Sequence, residues 1–216
     1  MIPCRPILLC LFKAFLLYSL GSADIPRLHL SAQTTTAPPV SKEQWHEDLK
    51  FLAAELPKRH ANAFHFLPKA AFDQEVSQLD RTLDDLNRDE IFVGMNRIDN
   101  SIGDGHTYIR VPADAPIFPV HFERFGEDYR LVSTRDIPGA RESLGGRLLK
   151  IDNMQIKRAQ EFLLTLTPAD ETQALRDVRA TALLNDGMVL HGLGTTSDRD
   201  TVRYVVLTDA RSEVTL

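Results

Sequence analysis

Apolar residues after position 40 recur every three or four positions, which is the spacing of one face of an amphipathic helix. Three such stripes follow one another, and each begins at a residue suited to a helix start: Ser41 with Gln44 in a capping box, Pro68, and Asn87 with Glu90 in a second capping box. Pro57 is expected to end the first helix. The pattern predicts three packed helices, whose buried faces are Trp45, Leu49, Leu52 and Leu56, then Phe72, Val76, Leu79, Leu83 and Leu86, then Ile91, Met95, Ile98 and Ile102.

The hydrophobic period shortens after Thr107, so the rest of the chain predicts short strands with interspersed helices. A turn at 126–128 should join two of the strands into a hairpin. A helical region followed by a mixed region indicates the α+β class, with a helical domain at 41–111 and an α+β domain at 112–216. Strands are predicted at 108–111, 118–125, 129–132, 147–151, 189–193, 202–207 and 213–216, and helices at 156–164 and 171–184.

The two regions meet at the stretch Gly103-Asp104-Gly105-His106, directly after the third predicted helix. Glycines release the backbone from its usual limits at a helix end, so the histidine should lie on a tight, exposed turn. Imidazole is the side chain best suited to accept a proton near neutral pH, and His106 is therefore a candidate general base. A histidine that merely caps a helix would look the same in sequence.

The N-terminus has the pattern of an export signal. Arg5 precedes an apolar run at 7–20, and small residues at 21–23 offer a cleavage site. We expect a signal peptide at 1–23, a polar linker at 24–40, and a periplasmic or extracellular location. Both cysteines, Cys4 and Cys10, would be removed, which leaves neither a disulfide nor a thiolate nucleophile. The apolar run is shorter than a bilayer span, so no stable membrane insertion is expected.

Several functions do not fit the composition and motifs. The formal net charge is −5 and no Lys/Arg cluster occurs, which argues against nucleic acid as a partner. His46-Glu47 is followed by Lys50 where a zinc hydrolase would need a second histidine, so we expect no metal site. The glycine pairs lack the spacing of a phosphate-binding loop, and no cofactor is expected. Serine nucleophile motifs are absent as well, so the chain has a candidate base without a recognisable nucleophile.

Three segments in this order resemble the N-terminal part of tail-specific (C-terminal processing) serine peptidases: Glu47–Leu52, Leu56–Phe64 and Ile102–Thr107. The tricorn-like branch, which has a histidine in the glycine turn, is the most similar. The segment Gly145–Asn153 is similar to the PDZ-like part that follows in that family. The resemblance implies a helical bundle followed by a PDZ-like module, and a peptide or protein substrate.

In the tricorn-like branch this histidine is the general base for a serine on a later domain, and that role maps onto His106. The chain stops at Leu216, about where this C-terminal catalytic domain would begin, so we expect no hydrolysis by the chain alone. One alternative is a non-catalytic binding module that holds an extended peptide by strand addition. A peptide carboxylate would then be received by Ser143, Leu144, Gly145 and Gly146. A second alternative is an interaction scaffold in which His106 only caps a helix.

Overall fold

Three helices come first in the part of the chain that the computed structural model describes, which is residues 40–169 and 171–216. They are α1 (Lys42–Arg59), α2 (Lys69–Thr82) and α3 (Arg88–Ser101). Both predicted capping boxes are present, at the starts of α1 and α3. The predicted signal peptide (1–23) and the predicted linker (24–40), apart from Val40, lie outside the described residues.

The prediction that Pro57 ends the first helix is wrong. Pro57 lies inside α1, which continues to Arg59, and the His60 amide still donates to the Leu56 carbonyl at 3.0 Å. Pro57 cannot donate to the Ala53 carbonyl and its ring crowds that carbonyl, but its fixed φ is helical, so the chain can complete one more turn before the helix ends. Pro68 is the N-cap of α2, one position before the helical position predicted for it.

The predicted apolar stripes of the three helices form one hydrophobic cluster. Leu49, Leu83 and Ile102 are fully buried within it. Trp45, Leu52, Leu56, Val76 and Leu86 pack against this cluster but stay partly exposed. The helical period therefore identified the correct faces of all three helices.

A mixed second part follows, which confirms the α+β class. Its strands form one antiparallel sheet in the order β1-β2-β3-β5-β6, with β4 paired to β3. The predicted hairpin is β1–β2, which turns at Gly126, a residue with φ of +62°. The strands are β1 (Val120–Phe125), β2 (Asp128–Thr134), β3 (Arg147–Ile151), β4 (Met154–Gln155), β5 (Tyr204–Leu207) and β6 (Glu213–Thr215).

Four further helices accompany the sheet: α4 (Ala140–Ser143), α5 (Ile156–Leu164), α6 (Gln173–Ala182) and α7 (Gly187–Gly192), and short 3₁₀ turns lie at Leu83–Asp85 and Leu183–Asn185. The predicted strand at 189–193 is wrong, because this segment lies largely in α7. Asp186 caps α7 by accepting the Val189 amide at 3.0 Å, and Met188, Val189 and Leu190 are all buried. A short, continuous apolar run does not distinguish a buried strand from a buried helix.

The predicted strand at 108–111 is also wrong. Residues 107–112 form neither a helix nor a strand and have no strand partner among the described residues. Ile109 packs against both hydrophobic clusters. Side-chain packing, and not strand pairing, therefore holds this segment. No helix in the described ranges is long and apolar enough to cross a bilayer.

A second hydrophobic cluster lies between the sheet and helices α5, α6 and α7, and α3 contributes to both clusters. Phe92 and Val93 of α3 belong to the sheet cluster, whereas Ile91 and Met95 belong to the helical cluster. A Cβ on Gly192 of α7 would collide with the Asp89 carbonyl, so α3 and α7 approach as closely as two backbones can. The regions predicted on either side of residue 111 therefore pack against each other, because α3 of the first region contributes to both clusters.

Candidate functional site

His106 lies on the turn that follows α3. Gly103 has φ of +87°, a left-handed conformation that lets the chain reverse direction directly after the helix. The Thr107 amide donates to the Asp104 carbonyl at 3.1 Å and closes the next turn. The His106 side chain is 99% exposed, so this turn presents the imidazole to solvent.

The carboxylate of Asp104 is the centre of the hydrogen bonds around this turn. Its Oδ1 accepts the His106 amide at 2.9 Å and lies 3.2 Å from His106 Nδ1. Its Oδ2 lies 2.7 Å from His60 Nε2 and accepts the Thr107 hydroxyl at 3.3 Å. The His106 amide and His60 hold the pKa of Asp104 far below its ordinary value, so this carboxylate is ionised at neutral pH.

His60 reaches the turn from the helical bundle, where it is the C-cap of α1. Its Nδ1 accepts the Asn62 amide at 3.1 Å, which places the proton of the neutral ring on Nε2, the atom beside Asp104. The His60 ring stacks on His65 with centroids 6.3 Å apart and an interplanar angle of 6°. The bundle therefore supplies an oriented donor to the turn.

Two residues of the second part hold the same turn from the other side. Arg179 of α6 donates from Nη2 to the Gly105 carbonyl at 3.2 Å. Its guanidinium also lies 3.5 Å from Glu171. A Cβ on residue 105 would collide with the Glu171 carboxylate, so only glycine fits this position without moving Glu171. The turn is clamped between the helical bundle and α6.

These residues line a cleft of about 550 Å³, which contains His60, Asn62, His65, Asp104, His106 and Glu171. Behind the turn, Asp99 is buried at 2% exposure. Burial raises the pKa of Asp99 to about 6, although the Ile109 amide donates to its carboxylate and opposes that shift. The cleft thus combines an exposed imidazole with an ionised carboxylate.

The segment predicted to bind a peptide carboxylate lies elsewhere, between α4 and β3. The Gly145 amide donates to Leu131 of β2 at 2.8 Å, and the Gly146 amide donates to Ser143 at 2.9 Å. The Ser143 side chain is fully buried, whereas Leu144 is 48% exposed. Two of the amides expected to receive a carboxylate therefore already have partners inside the fold. His106 and this segment do not line the same cleft.

A different groove lies between the outer strand of the sheet and α6, with a volume of about 670 Å³. Of the described residues, none bonds to the outer backbone edge of β1 between His121 and Phe125. Val178 of α6 is 64% exposed at this groove. Arg124 and Asp177 form an ion pair across it, and Asp177 also accepts a hydrogen bond from Gln173 at 2.9 Å.

A larger cleft of about 910 Å³ lies against α2 and α3 and contains none of the predicted site residues. Arg97 and Arg176 line it, but each donates from Nε to a threonine at the end of α5: Thr165 at 3.1 Å and Thr167 at 3.0 Å. These arginines are used to hold the C-terminus of α5, and we assign no function to this cleft.

The sequence pattern makes His106 a candidate base but does not indicate all the residues that hold its turn. A signal for Asp104 was present, because an aspartate two residues before another residue readily accepts that residue's amide. His60 lies in the Leu56–Phe64 segment, and nothing in the pattern of that segment indicates its contact with Asp104. Glu171 and Arg179 had no signal, since they are distant in sequence from the turn they contact.

Comparisons with protein-family models and with curated proteins gave no match. Solved structures of CPAF, a chlamydial serine protease with a tail-specific-protease-like fold, are similar to this chain. Mature CPAF complexed with lactacystin aligns with a TM-score of 0.55 at 15% identity, over 81% of this chain and 34% of that one. A serine-to-alanine variant of CPAF aligns with a TM-score of 0.53 at 14% identity, over 81% of this chain and 33% of that one. Mature CPAF alone aligns with a TM-score of 0.51 at 14% identity, over 81% of this chain and 34% of that one. The likeness is one of fold, and the chain spans about a third of the length of these structures.

Proposed function

We propose that this chain is the base-bearing part of an exported serine peptidase of the tail-specific type, and that His106 is its general base. The observation that carries the proposal is the exposed imidazole of His106 on a turn that is held from two sides. The fold likeness to a part of CPAF and the order of sequence segments support it independently. The nucleophilic serine would belong to a catalytic domain that covers the cleft.

The chemistry follows from the free side of the imidazole. Nε2 of His106 would take the proton of the serine hydroxyl as the oxygen attacks the peptide carbonyl. The imidazolium would then return the proton to the leaving amine, which breaks the C–N bond and leaves an acyl-enzyme. Hydrolysis of that ester by water repeats the two proton transfers. This chain would contribute the base and its orientation, and the other domain the nucleophile and the oxyanion donors.

The test joins this chain to a serine-bearing catalytic domain of the tail-specific type, as a fusion or as a second chain. The chain alone should hydrolyse no peptide and resist fluorophosphonate labelling, because such probes need an activated hydroxyl and an oxyanion hole. The assembly should become labelled, and His106→Ala should lower its turnover by at least ~100-fold, the scale of a lost general base.

The control is His46→Gln, which removes a histidine that contacts Asp80 and Asp84 instead of the turn, and it should leave turnover unchanged. Labelling of a serine within the isolated chain would contradict the proposal. Equal turnover of the His106→Ala assembly and the unmodified assembly would do so as well.

A second candidate function is peptide binding without chemistry, and it is favoured by the outer edge of β1 beside α6, to which no described residue bonds between His121 and Phe125. An extended peptide could pair with the β1 backbone and place alternate side chains against Val178, a PDZ-like mode of strand addition. We place the peptide in this groove and not at Ser143–Gly146, because amides of Gly145 and Gly146 already have partners.

The probe is the hexapeptide Lys-Val-Lys-Val-Lys-Val, with a free or an amidated C-terminus. Its binding is measured from changes in the backbone amide chemical shifts of the chain in NMR spectra. Shifts should appear at 121–125 and along α6, and Val178→Glu should weaken binding by about 10-fold or more through a charge placed in an apolar contact. Arg158→Glu, on the exposed surface of α5, serves as the control. Shifts confined to 143–146 that require the free carboxylate would instead support the site predicted from the sequence.

A further inference from the structure

We propose that Asp104 is the positioning residue of His106, and that His60 acts through it to leave His106 Nε2 as the free base. The inference rests on the proposed function for its catalytic meaning. Its structural content concerns this chain alone and is tested without catalysis.

The hydrogen bonds of His60 fix which of its ring nitrogens carries the proton. The Asn62 amide donates to His60 Nδ1 at 3.1 Å, so the neutral His60 ring carries its proton on Nε2. That N–H points to Asp104 Oδ2 at 2.7 Å. A backbone donor therefore sets the tautomer of His60, and His60 in turn can only donate to the carboxylate.

The other oxygen of the same carboxylate contacts His106. Asp104 Oδ1 accepts the His106 amide at 2.9 Å and lies 3.2 Å from His106 Nδ1. A carboxylate can only accept, so the contact requires a proton on Nδ1. The second ring nitrogen of His106, Nε2, then carries the lone pair. Among the described residues Nε2 has no hydrogen-bond partner, and the ring is 99% exposed.

This arrangement differs from an ordinary turn because both oxygens of Asp104 have partners. A turn in which the aspartate accepts the amide two residues later needs only one oxygen, and asparagine would serve equally well. Here the second oxygen faces an N–H donor from α1, 44 positions away in the sequence. An asparagine would present its NH₂ to one of the two imidazoles. The geometry therefore calls for a carboxylate and not merely for a turn former.

The two residues that support His106 are more buried than His106 itself. His60 is 12% exposed at its side chain and Asp104 is 28% exposed, whereas His106 is fully exposed. The Thr107 hydroxyl adds a further bond to Asp104 Oδ2. A mostly buried histidine thus fixes a partly exposed carboxylate, and that carboxylate is the only group among the described residues with a hydrogen bond to the His106 imidazole. This is the arrangement by which a carboxylate keeps a catalytic histidine in one tautomer and orientation.

The test is the tautomer of His106, read from long-range ¹H–¹⁵N correlation spectra of the purified chain at mildly alkaline pH, where imidazoles are neutral. The unmodified chain should show His106 predominantly protonated on Nδ1. Asp104→Ala should shift the ring to predominantly Nε2 protonation. Asp114→Ala, which removes an exposed carboxylate paired with Arg88, should leave the His106 signals unchanged.

A second pair of variants tests the part assigned to His60. His60→Ala should lower the fraction of His106 protonated on Nδ1, and His60→Gln, whose amide can still donate to Asp104, should restore part of it. Nε2 protonation of His106 in the unmodified chain would overturn the proposal, and this measurement needs no variant to fold. An unchanged tautomer in Asp104→Ala would overturn it too.

A kinetic measurement connects this proposal to the proposed function. In the assembly with a serine-bearing domain, Asp104→Ala should lower kcat by at least ~10-fold and leave KM nearly unchanged, since a misoriented base weakens the transition state and not substrate binding. If the tautomer results hold but His106→Ala leaves turnover intact, the proposed function fails and the positioning role of Asp104 stands. A normal kcat in Asp104→Ala, with turnover lost in His106→Ala, contradicts the positioning role alone.

Discussion

At the scale of single residues, Leu49 and Leu52 show that a place on an apolar stripe does not determine the depth of burial. Both lie on the predicted face of α1, and Leu49 is fully buried in the helical cluster. Leu52 instead lines an open apolar cleft with Phe92 and Ile109, and it is only partly buried. The stripe of a helix is wider than the contact with any one neighbour, so its margins are covered less completely.

Leu49→Ala should therefore destabilise the fold more than Leu52→Ala, although the two changes remove the same atoms. Truncation of a fully buried leucine typically costs ~2–5 kcal/mol, because it leaves a cavity as well as removing apolar contact. Urea denaturation of both variants would measure the difference. His106→Ala is the control from the site, and its midpoint should match that of the unmodified chain because the imidazole is exposed. A lower midpoint for Leu52→Ala than for Leu49→Ala would contradict the packing described.

At the scale of elements, the first two helices are joined by a polar contact as well as by the apolar cluster. His46 of α1 lies between two carboxylates, with Nδ1 2.6 Å from Asp80 and Nε2 3.2 Å from Asp84. The hydrogen bond to Asp80, and next the one to Asp84, raise the pKa of His46 above its ordinary value of 6.5. Because both ring nitrogens face acceptors, the contact is complete only when the ring carries two protons.

The contact should make the packing of α1 on α2 depend on pH. A histidine whose pKa is higher in the folded state contributes its full stabilisation below the unfolded value of 6.5, and loses it as pH rises through the folded value. The unfolding free energy of the unmodified chain should exceed that of His46→Gln more at about pH 5.5 than at about pH 8.5. The two chains are compared at each pH because Asp99, whose pKa is raised to about 6, also favours the folded state at lower pH. Its contribution is common to both chains and cancels in the difference between their unfolding free energies. An equal gap at both pH values would show that the ion pair adds no stability.

At the scale of the whole molecule, the helical cluster and the sheet cluster meet along α3, and the turn of His106 lies where that helix ends. His60 reaches the turn from α1, and Arg179 reaches it from α6. The helical part of the chain contacts the imidazole through Asp104 and His60, and the second part holds the backbone of the turn through Arg179. The proposed site depends on both clusters being folded, so substitutions at the contact of α3 with α7, such as at Gly192, should disturb the turn from a distance.

The sequence by itself determined the structures that depend on neighbouring residues. The capping boxes of α1 and α3, the hairpin at Gly126, helix α5 and the glycine turn that carries His106 all follow from interactions within a few positions. Tertiary structure decided what depends on distant partners. The run at 189–193 lies largely in a helix that packs on α3, and 108–111 is not a strand because no strand of the described residues pairs with it. The same holds for the site, since His60 is 44 positions from Asp104 and Arg179 is 74 positions from Gly105. Local patterns set the backbone near His106 and place Asp104 beside it, but only the packed chain brings His60 and Arg179 to the same turn.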